Sequence, residues 1–332
     1  MLTNSLDDVI VVSTTKKWNY IMDYTEELVT NTYGREYWIY KDDAFYQQRI
    51  ANAGPYQKQN LVRLRELKPN ARTIIDVGMN IGMNSIEYAT WGNNVHGFEP
   101  TPQTYDMAIK NIKLAEAQTE ADGLKSWHID NSFETTGKIN TYNRGLGDEK
   151  GQFEILIKKD NAGHNHIENI DVPLPSGKAR KRKIEPEKVI IKVNTLDSYN
   201  FQDVDIIKVD TEGYEFPVVL GAEQTIVNQK PIVQLEMVHG QPERFGYTCQ
   251  GIYDWFLERD FVITLADGTD VGTKWDHYTR KMERFFIHKS LLTDSYIGQV
   301  AIKETKTVPS SIERERKAEL EAQVTNLFEE VI

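Results

Sequence analysis

Two acids, each closing a short apolar run, flank the most chemically informative stretch of the chain. In TIIDVGMNIGMNS (73–85), a β-branched run leads to Asp76 and then turns through Gly78 and Gly82 toward a helix. Glycines in such a turn let a ligand approach the backbone at the carboxyl edge of a sheet, where open α/β proteins bind ligands. A second run ends at Phe98-Glu99-Pro100. Glu99 falls about twenty residues beyond Gly78, the separation at which an acid meets ribose hydroxyls. Asn80 stands where a dinucleotide fingerprint would carry its middle glycine, and the phosphate loop ending in Gly-Lys-Ser/Thr is absent. An acid at the strand end suits a cofactor with a cationic amino-acid end better than a pyrophosphate. The pattern therefore points to S-adenosyl-L-methionine.

Further acids follow later runs. Asp210 and Glu212 come after Val204–Val209, and Glu236 and His239 lie at the end of, and just past, Ile232–Met237. Methyl transfer to a hydroxyl requires the acceptor to be held in line and its proton removed. Positioning supplies about 7–11 kcal/mol of such a barrier, and a general base about 10²–10⁴ in rate. Asp210, Glu212, Glu236 and His239 are the candidate bases. His239 brings a near-neutral intrinsic pKa, while a carboxylate needs burial to raise its own. Asp210 and Glu212 also have a plainer reading, in which they organise their loop by accepting backbone N–H bonds. His164 and His166 form an H-x-H pair without a nearby cysteine or a clear third ligand, so no metal is expected. The single cysteine, Cys249, has no neighbours that mark it as a nucleophile.

The elements that must position these groups alternate along the chain. Thr73–Val77, Val95–Phe98, Lys138–Asn143, Val204–Val209, Ile232–Met237, Phe261–Leu265 and Arg284–His288 read as strands. Helical stretches begin near Ser85, at Pro102 behind an N-cap Thr101, at Phe216 and at Ile252. Gly151–Lys158 and Val189–Val193 read as extra strands. Such alternation implies an α/β fold, Rossmann-like, with a mostly parallel central sheet and helices on both faces. Residues 1–70 are aromatic-rich and read as a mostly helical cap, or as a lid over the site. Residues 291–332 contain a charged amphipathic helix suited to docking on its own domain or to homo-oligomerisation. Lys178 to Lys183 form a basic cluster between two prolines, read as a solvated loop or an anion contact.

Composition narrows the classes. The chain has 332 residues, 39 Lys plus Arg against 50 Asp plus Glu, and a net charge of −11. That balance disfavours nucleic acid as a partner. With 39% hydrophobic and 10% aromatic residues the chain is a folding sequence, not a disordered one. No apolar run approaches the ~20 residues of a membrane span, and the N-terminus lacks the basic start of a signal peptide. One cysteine fits a reducing compartment. A cytoplasmic protein without membrane partners is the expectation.

Four blocks carry a resemblance to the FkbM-type methyltransferases, a branch of the class I S-adenosylmethionine-dependent enzymes. They are IIDVGMNIGMNS (74–85), similar to the family's DVGANIG signature; GFEP (97–100), followed by a helix holding Asn111; NRGLGD (143–148) with Gly151; and NTLD (194–197) with IKVDTEGYE (207–215) and LGA (220–222). The resemblance spans roughly 71–290, which gives a catalytic domain of 71–290 between a 1–70 cap and a 291–332 extension. It departs from the family at Met79, where a small residue is usual, at an apparent insertion over Asp122–Phe133, and at a lengthened 176–188 connection. It implies that Asp76, Gly78, Asn80 and Gly82 surround the methionine end of the cofactor. It implies that Glu99 bonds the ribose and that Leu146 and its neighbours pack near the adenine. The expected activity is O-methylation of a sugar, glycan or other small metabolite. The rivals are an NAD(P)-type oxidoreductase on a similar fold and a non-catalytic binding or assembly module.

Overall fold

The computed structural model describes residues 25–32, 34–41, 50, 56–122, 137–157, 166–167, 187–276 and 283–292. Its centre is a seven-stranded sheet. In chain order the strands are β3 (Thr73–Val77), β4 (Asn94–Phe98), β5 (Lys138–Tyr142), β10 (Val204–Val209), β11 (Ile232–Glu236), β12 (Phe261–Thr264) and β13 (Glu283–His288). In space they run β12-β13-β11-β10-β3-β4-β5. The five from β11 to β5 are parallel, and β13 is antiparallel to both of its neighbours. The chain first builds outward from β3 to β5, then returns to place β10 on the other side of β3. The order reverses between β3 and β10, which makes their carboxyl ends the crevice where such sheets bind ligands.

The middle strands β3, β10 and β11 are largely apolar on both faces because both faces are covered. On one side Ile75, Val77, Ile207, Val209, Val233 and Leu235 pack under α4 (Glu215–Leu220), α5 (Glu223–Gln229) and α6 (Cys249–Leu257). On the other, Ile74, Val95, Ile206, Ile232, Phe285 and Ile287 pack with Leu61 and Leu64 of α1 (Lys58–Leu67) and with Tyr88 and Ala89 of α2 (Met83–Ala89). Helix α3 (Pro102–Asp122) follows β4. The Rossmann-like α/β fold is as expected. No helix among the described residues is long and apolar enough to cross a membrane.

Two features lie outside the sheet. Strands β6 (Gly145–Leu146), β7 (Gly151–Ile157), β8 (His166–Ile167) and β9 (Glu187–Asn194) form a second sheet of order β6-β9-β7-β8. It occupies the connection between β5 and β10 and accounts for the two extra strands foreseen there. At 26–40 the N-terminal region is not helical: β1 (Glu26–Thr30) and β2 (Glu36–Tyr40) pair as an antiparallel hairpin. Tyr37 and Ile39 alternate inward, each 1% exposed, the period of a strand and not of a helix. Only α1 is helical among the described parts of that region longer than one residue, and it belongs to the layer covering the central sheet. The C-terminal helix, the basic cluster at 178–183 and most of the Asp122–Phe133 insertion fall outside the described residues.

The shared motifs find their reasons in backbone contacts. A Cβ on Gly221 would sit 1.8 Å from the carbonyl oxygen of Gly147, so the third and fourth blocks meet where only glycine fits. Asp197 accepts from the N–H groups of Gln224 and Thr225 at 2.8 and 2.9 Å, capping the start of α5. Met79 is accommodated by Gly97, where any Cβ would lie 2.4 Å from the Met79 sulfur. The bulkier residue is thus matched by a missing side chain on the next strand.

Candidate active site

At the carboxyl edge of β3 the chain turns through Gly78 (φ 73°), Asn80 (φ 52°) and Gly82 (φ 87°) into α2. The N–H groups of Gly78 and Met79 both donate to the carbonyl of Phe98, at 2.9 and 3.0 Å, and tie the turn to the end of β4. Glu99 finishes the clasp. Its Oε2 accepts from the Asn80 N–H at 3.2 Å and its Oε1 from the Thr101 N–H at 2.9 Å. Asn143, from the third block, donates through Nδ2 to the carbonyls of Glu99 and Pro100 at 3.0 and 3.2 Å. Burial pushes the Glu99 carboxyl up to about 7, against the pull of the Thr101 and Asn80 hydrogen bonds. Leu146 is 3% exposed and packs in the core behind this edge.

Asp76 is engaged through both carboxylate oxygens. It is 0% exposed, its Oδ2 accepts from Ser85 Oγ at 2.6 Å, and its Oδ1 lies 3.2 Å from Lys208 Nζ. It meets the turn through Lys208. The same ammonium donates to the carbonyl of Gly78 at 2.9 Å and stands 3.6 Å from Asp210 Oδ2. Burial works against its charge, but Asp76 and Asp210 together outweigh that and hold its pKa above the usual lysine value. Lys208 joins the two strand ends at the reversal point, a role that its place inside IKVD did not reveal. Gly78 makes the approach possible, since a Cβ there would meet the Asp210 carbonyl oxygen at 2.0 Å.

Beyond β10, Glu215 is the organiser of its loop. It is 1% exposed, and its Oε1 accepts from the N–H groups of Thr211 and Gly213 at 2.9 and 3.0 Å. Glu212 takes φ 56°, its carbonyl receives Arg244 Nη2, and its Oε2 accepts from Gln241 Nε2 at 3.3 Å. The loop-organising role considered for Asp210 and Glu212 thus falls largely to Glu215. Asp210, Glu212 and Glu236 converge, each offering an oxygen within 4.8 Å of the others. All three are half-buried. By donor chemistry, this is the group among the described residues that could hold a metal ion. Burial first, then Asp210, Glu212, Glu215 and Glu283, push Glu236 up to about 10. Burial also raises Asp210, with Lys208 pulling it back. Asp210 is among the charges that raise Glu236, so these two carboxyls do not ionise independently.

His239 stands apart from this group. Its side chain is 59% exposed, with Nδ1 4.0 Å from Glu243 Oε1. His164 lies outside the described residues, and His166 falls on β8 of the second sheet. Cys249 is 1% exposed, and burial, then Glu243 and Glu215, push its thiol up to about 12, so it is no nucleophile. Sequence reasoning also passed over Gln57 (φ 54°), which precedes α1. Its Nε2 donates to Glu283 at 3.4 Å and its Oε1 accepts from Asn84 at 3.1 Å. Glu283 is in register with Glu236 across β13 and β11. The N-terminal segment thereby bridges α2 and the strand beside the acids.

A Rossmann-like sheet with a glycine turn and acids at its reversal point places the ligand site of an α/β enzyme at this edge. The description "Methyltransferase FkbM domain" matches residues 76–263, more than half of the chain, and the chain belongs to this FkbM methyltransferase family. No curated protein matches it. Among solved structures, the methyltransferase FkbM from Methylobacillus flagellatus KT is similar with 16% identity and a TM-score of 0.36, over 65% of this chain and 43% of its own. The small RNA methyltransferase HEN1 shows 10% identity and a TM-score of 0.35, over 74% and 28%. A TehB-like SAM-dependent methyltransferase from Corynebacterium glutamicum ATCC 13032 Kitasato shows 10% identity and a TM-score of 0.33, over 70% and 88%. The chain spans less than half the length of the first two.

Proposed function

We propose that the protein is an S-adenosyl-L-methionine-dependent O-methyltransferase acting on a hydroxyl of a sugar, glycan or other small polar metabolite. The observation that carries this reading is the convergence, at one sheet edge, of the glycine turn clasped by Glu99 and the acids Asp210, Glu212 and Glu236. The groups present fit the cofactor chemically. Glu99 retains acceptor capacity for a diol beside its two N–H partners, and an acidic edge suits a cationic sulfonium and ammonium. The pyrophosphate of a dinucleotide would meet those same carboxylates, with the Lys208 ammonium already engaged by Asp76, Asp210 and Gly78. That disfavours the oxidoreductase alternative, and the gathered acids disfavour a purely non-catalytic module.

The cofactor supplies an electrophilic methyl group. The protein must hold the acceptor oxygen in line with it and accept the hydroxyl proton. In this reading Asp210, whose carboxyl burial raises and Lys208 draws partly back, takes that proton. Glu236, holding its own proton at neutral pH, donates a hydrogen bond that orients the acceptor. Asp210→Asn is then expected to lower turnover by about 10²–10⁴. Glu236→Gln, which keeps a hydrogen-bond donor, should cost far less. Transfer of isotope-labelled methyl from S-adenosylmethionine to a panel of mono- and oligosaccharides, read by mass spectrometry, tests both. Equal losses in the two variants would refute this division of roles.

Titration calorimetry with S-adenosylhomocysteine tests the cofactor reading. Ribose hydroxyls donating to Glu99 favour its carboxylate form, so affinity should rise with pH up to about 7 and level off above it. Glu99→Gln should flatten that dependence. Heat with NAD and none with S-adenosylhomocysteine would replace this reading with the oxidoreductase one.

A further inference from the structure

The hairpin β1–β2 precedes the matched family domain, yet it is bonded to the turn assigned above to the cofactor. The link is Asn111 of α3, which is 0% exposed. Its Oδ1 accepts from the Trp38 N–H at 2.6 Å, and its Nδ2 donates to the carbonyls of Trp38 and Ile81, each at 3.0 Å. Ile81 lies inside the turn, between Asn80 and Gly82, both at positive φ. Its N–H is already held by Asn80 Oδ1 at 2.7 Å, so Asn111 fixes the residue's other backbone polar group.

The hairpin reaches the same two helices at several further points. Lys110 Nζ sits 3.6 Å over the Trp38 ring and pairs with Glu26. Tyr40 donates to the carbonyl of Gln103 at 2.8 Å. Arg35 lies 3.5 Å from Glu87 of α2, and Tyr37 and Ile39 pack with Ile81, Met83 and Ile86.

We propose that Asn111 is a positioning residue through which the N-terminal hairpin sets the geometry of the cofactor turn, so that hairpin docking and cofactor binding are linked. Undocking the hairpin strips Asn111 of both bonds to Trp38. A buried amide left so depleted seeks other partners, and the Ile81 carbonyl loses a fixed donor. The coupling is reciprocal by necessity: whatever the hairpin contributes to cofactor affinity, the cofactor returns as hairpin stability. The segment outside the family domain thus becomes part of the binding machinery. This inference rests on the cofactor reading given above.

Hydrogen exchange followed by mass spectrometry on the full chain, with and without saturating S-adenosylhomocysteine, tests the linkage. Amides of residues 26–40 are expected to exchange at least threefold more slowly in the complex. Lys110→Ala removes hairpin contacts and leaves the Asn111–Ile81 bond in place. It should speed hairpin exchange and weaken S-adenosylhomocysteine binding at least threefold. Asn111→Asp keeps the acceptor for Trp38 and loses both donations, and should weaken binding at least tenfold. Unchanged hairpin exchange on ligand binding overturns the inference, as does a Lys110→Ala protein with a loosened hairpin and wild-type affinity. Absence of any S-adenosylhomocysteine binding to the wild type instead overturns the cofactor reading.

Discussion

Gly78→Ala is expected to destabilise the protein by about 2–5 kcal/mol and to weaken S-adenosylhomocysteine binding more than a hundredfold. Two costs add. A non-glycine residue in the left-handed region costs about 1–2 kcal/mol, and Gly78 has φ 73°. Its new methyl would also lie 2.0 Å from the Asp210 carbonyl oxygen, which is backbone and cannot swing aside. Overpacking of that kind costs about 1–3 kcal/mol. The strain falls where β3 and β10 part, so it spreads the turn from the acids. Gly272 provides the comparison: it has φ 69°, but a Cβ there would meet nothing within 4 Å. Gly272→Ala should carry the backbone cost alone, about 1–2 kcal/mol. Urea unfolding of both variants separates the two contributions, and equal midpoints would remove the clash from the account.

Lys208→Met should be at least as damaging, for an electrostatic reason. It leaves Asp76, 0% exposed, without the cation that stands 3.2 Å away. Removing one partner of a buried pair costs about 3–5 kcal/mol, because an uncompensated charge remains. The double variant Asp76→Asn/Lys208→Met removes both charges and should recover most of that loss in thermal or urea unfolding. It should not recover cofactor affinity, since the donor to the Gly78 carbonyl is still missing. A double variant as unstable as the single one would show that Lys208 acts by packing instead of charge.

The middle strands of the central sheet were legible because β3 and β10 are short β-branched runs with almost no exposure on either face. Thr73–Val77 and Val204–Val209 were placed to the residue. The glycine turn and Glu99 were legible from spacing, since close backbone approach leaves a fixed signature. Lys208 was not, because a lysine within an apolar strand carries no sign of what neutralises it. Its partner Asp76 comes from β3, far away in the chain. Gln57 and Glu283 escaped for the same reason, being 226 residues apart. The hairpin was misread because its composition, rich in tyrosine and tryptophan, says little about period. The alternation of Tyr37 and Ile39 was the available signal. Asp76 lies one residue before the end of β3, on the face where its register partner Lys208 lies.

The pairing of β3 with β10 also bears on how the protein is made. The bond from Lys208 to the Gly78 carbonyl closes a span of 130 residues. A chain emerging from the ribosome completes the glycine turn, Glu99 and Asn111 long before Lys208 exists. Until β10 arrives, β3 is an edge strand whose apolar faces lack much of their cover, the kind of surface on which growing chains aggregate. Long-range parallel pairing is slow to form. Assembly of this site therefore waits on the insertion of β10 beside β3, and a ligand that needs both strands can reward folding only after that insertion.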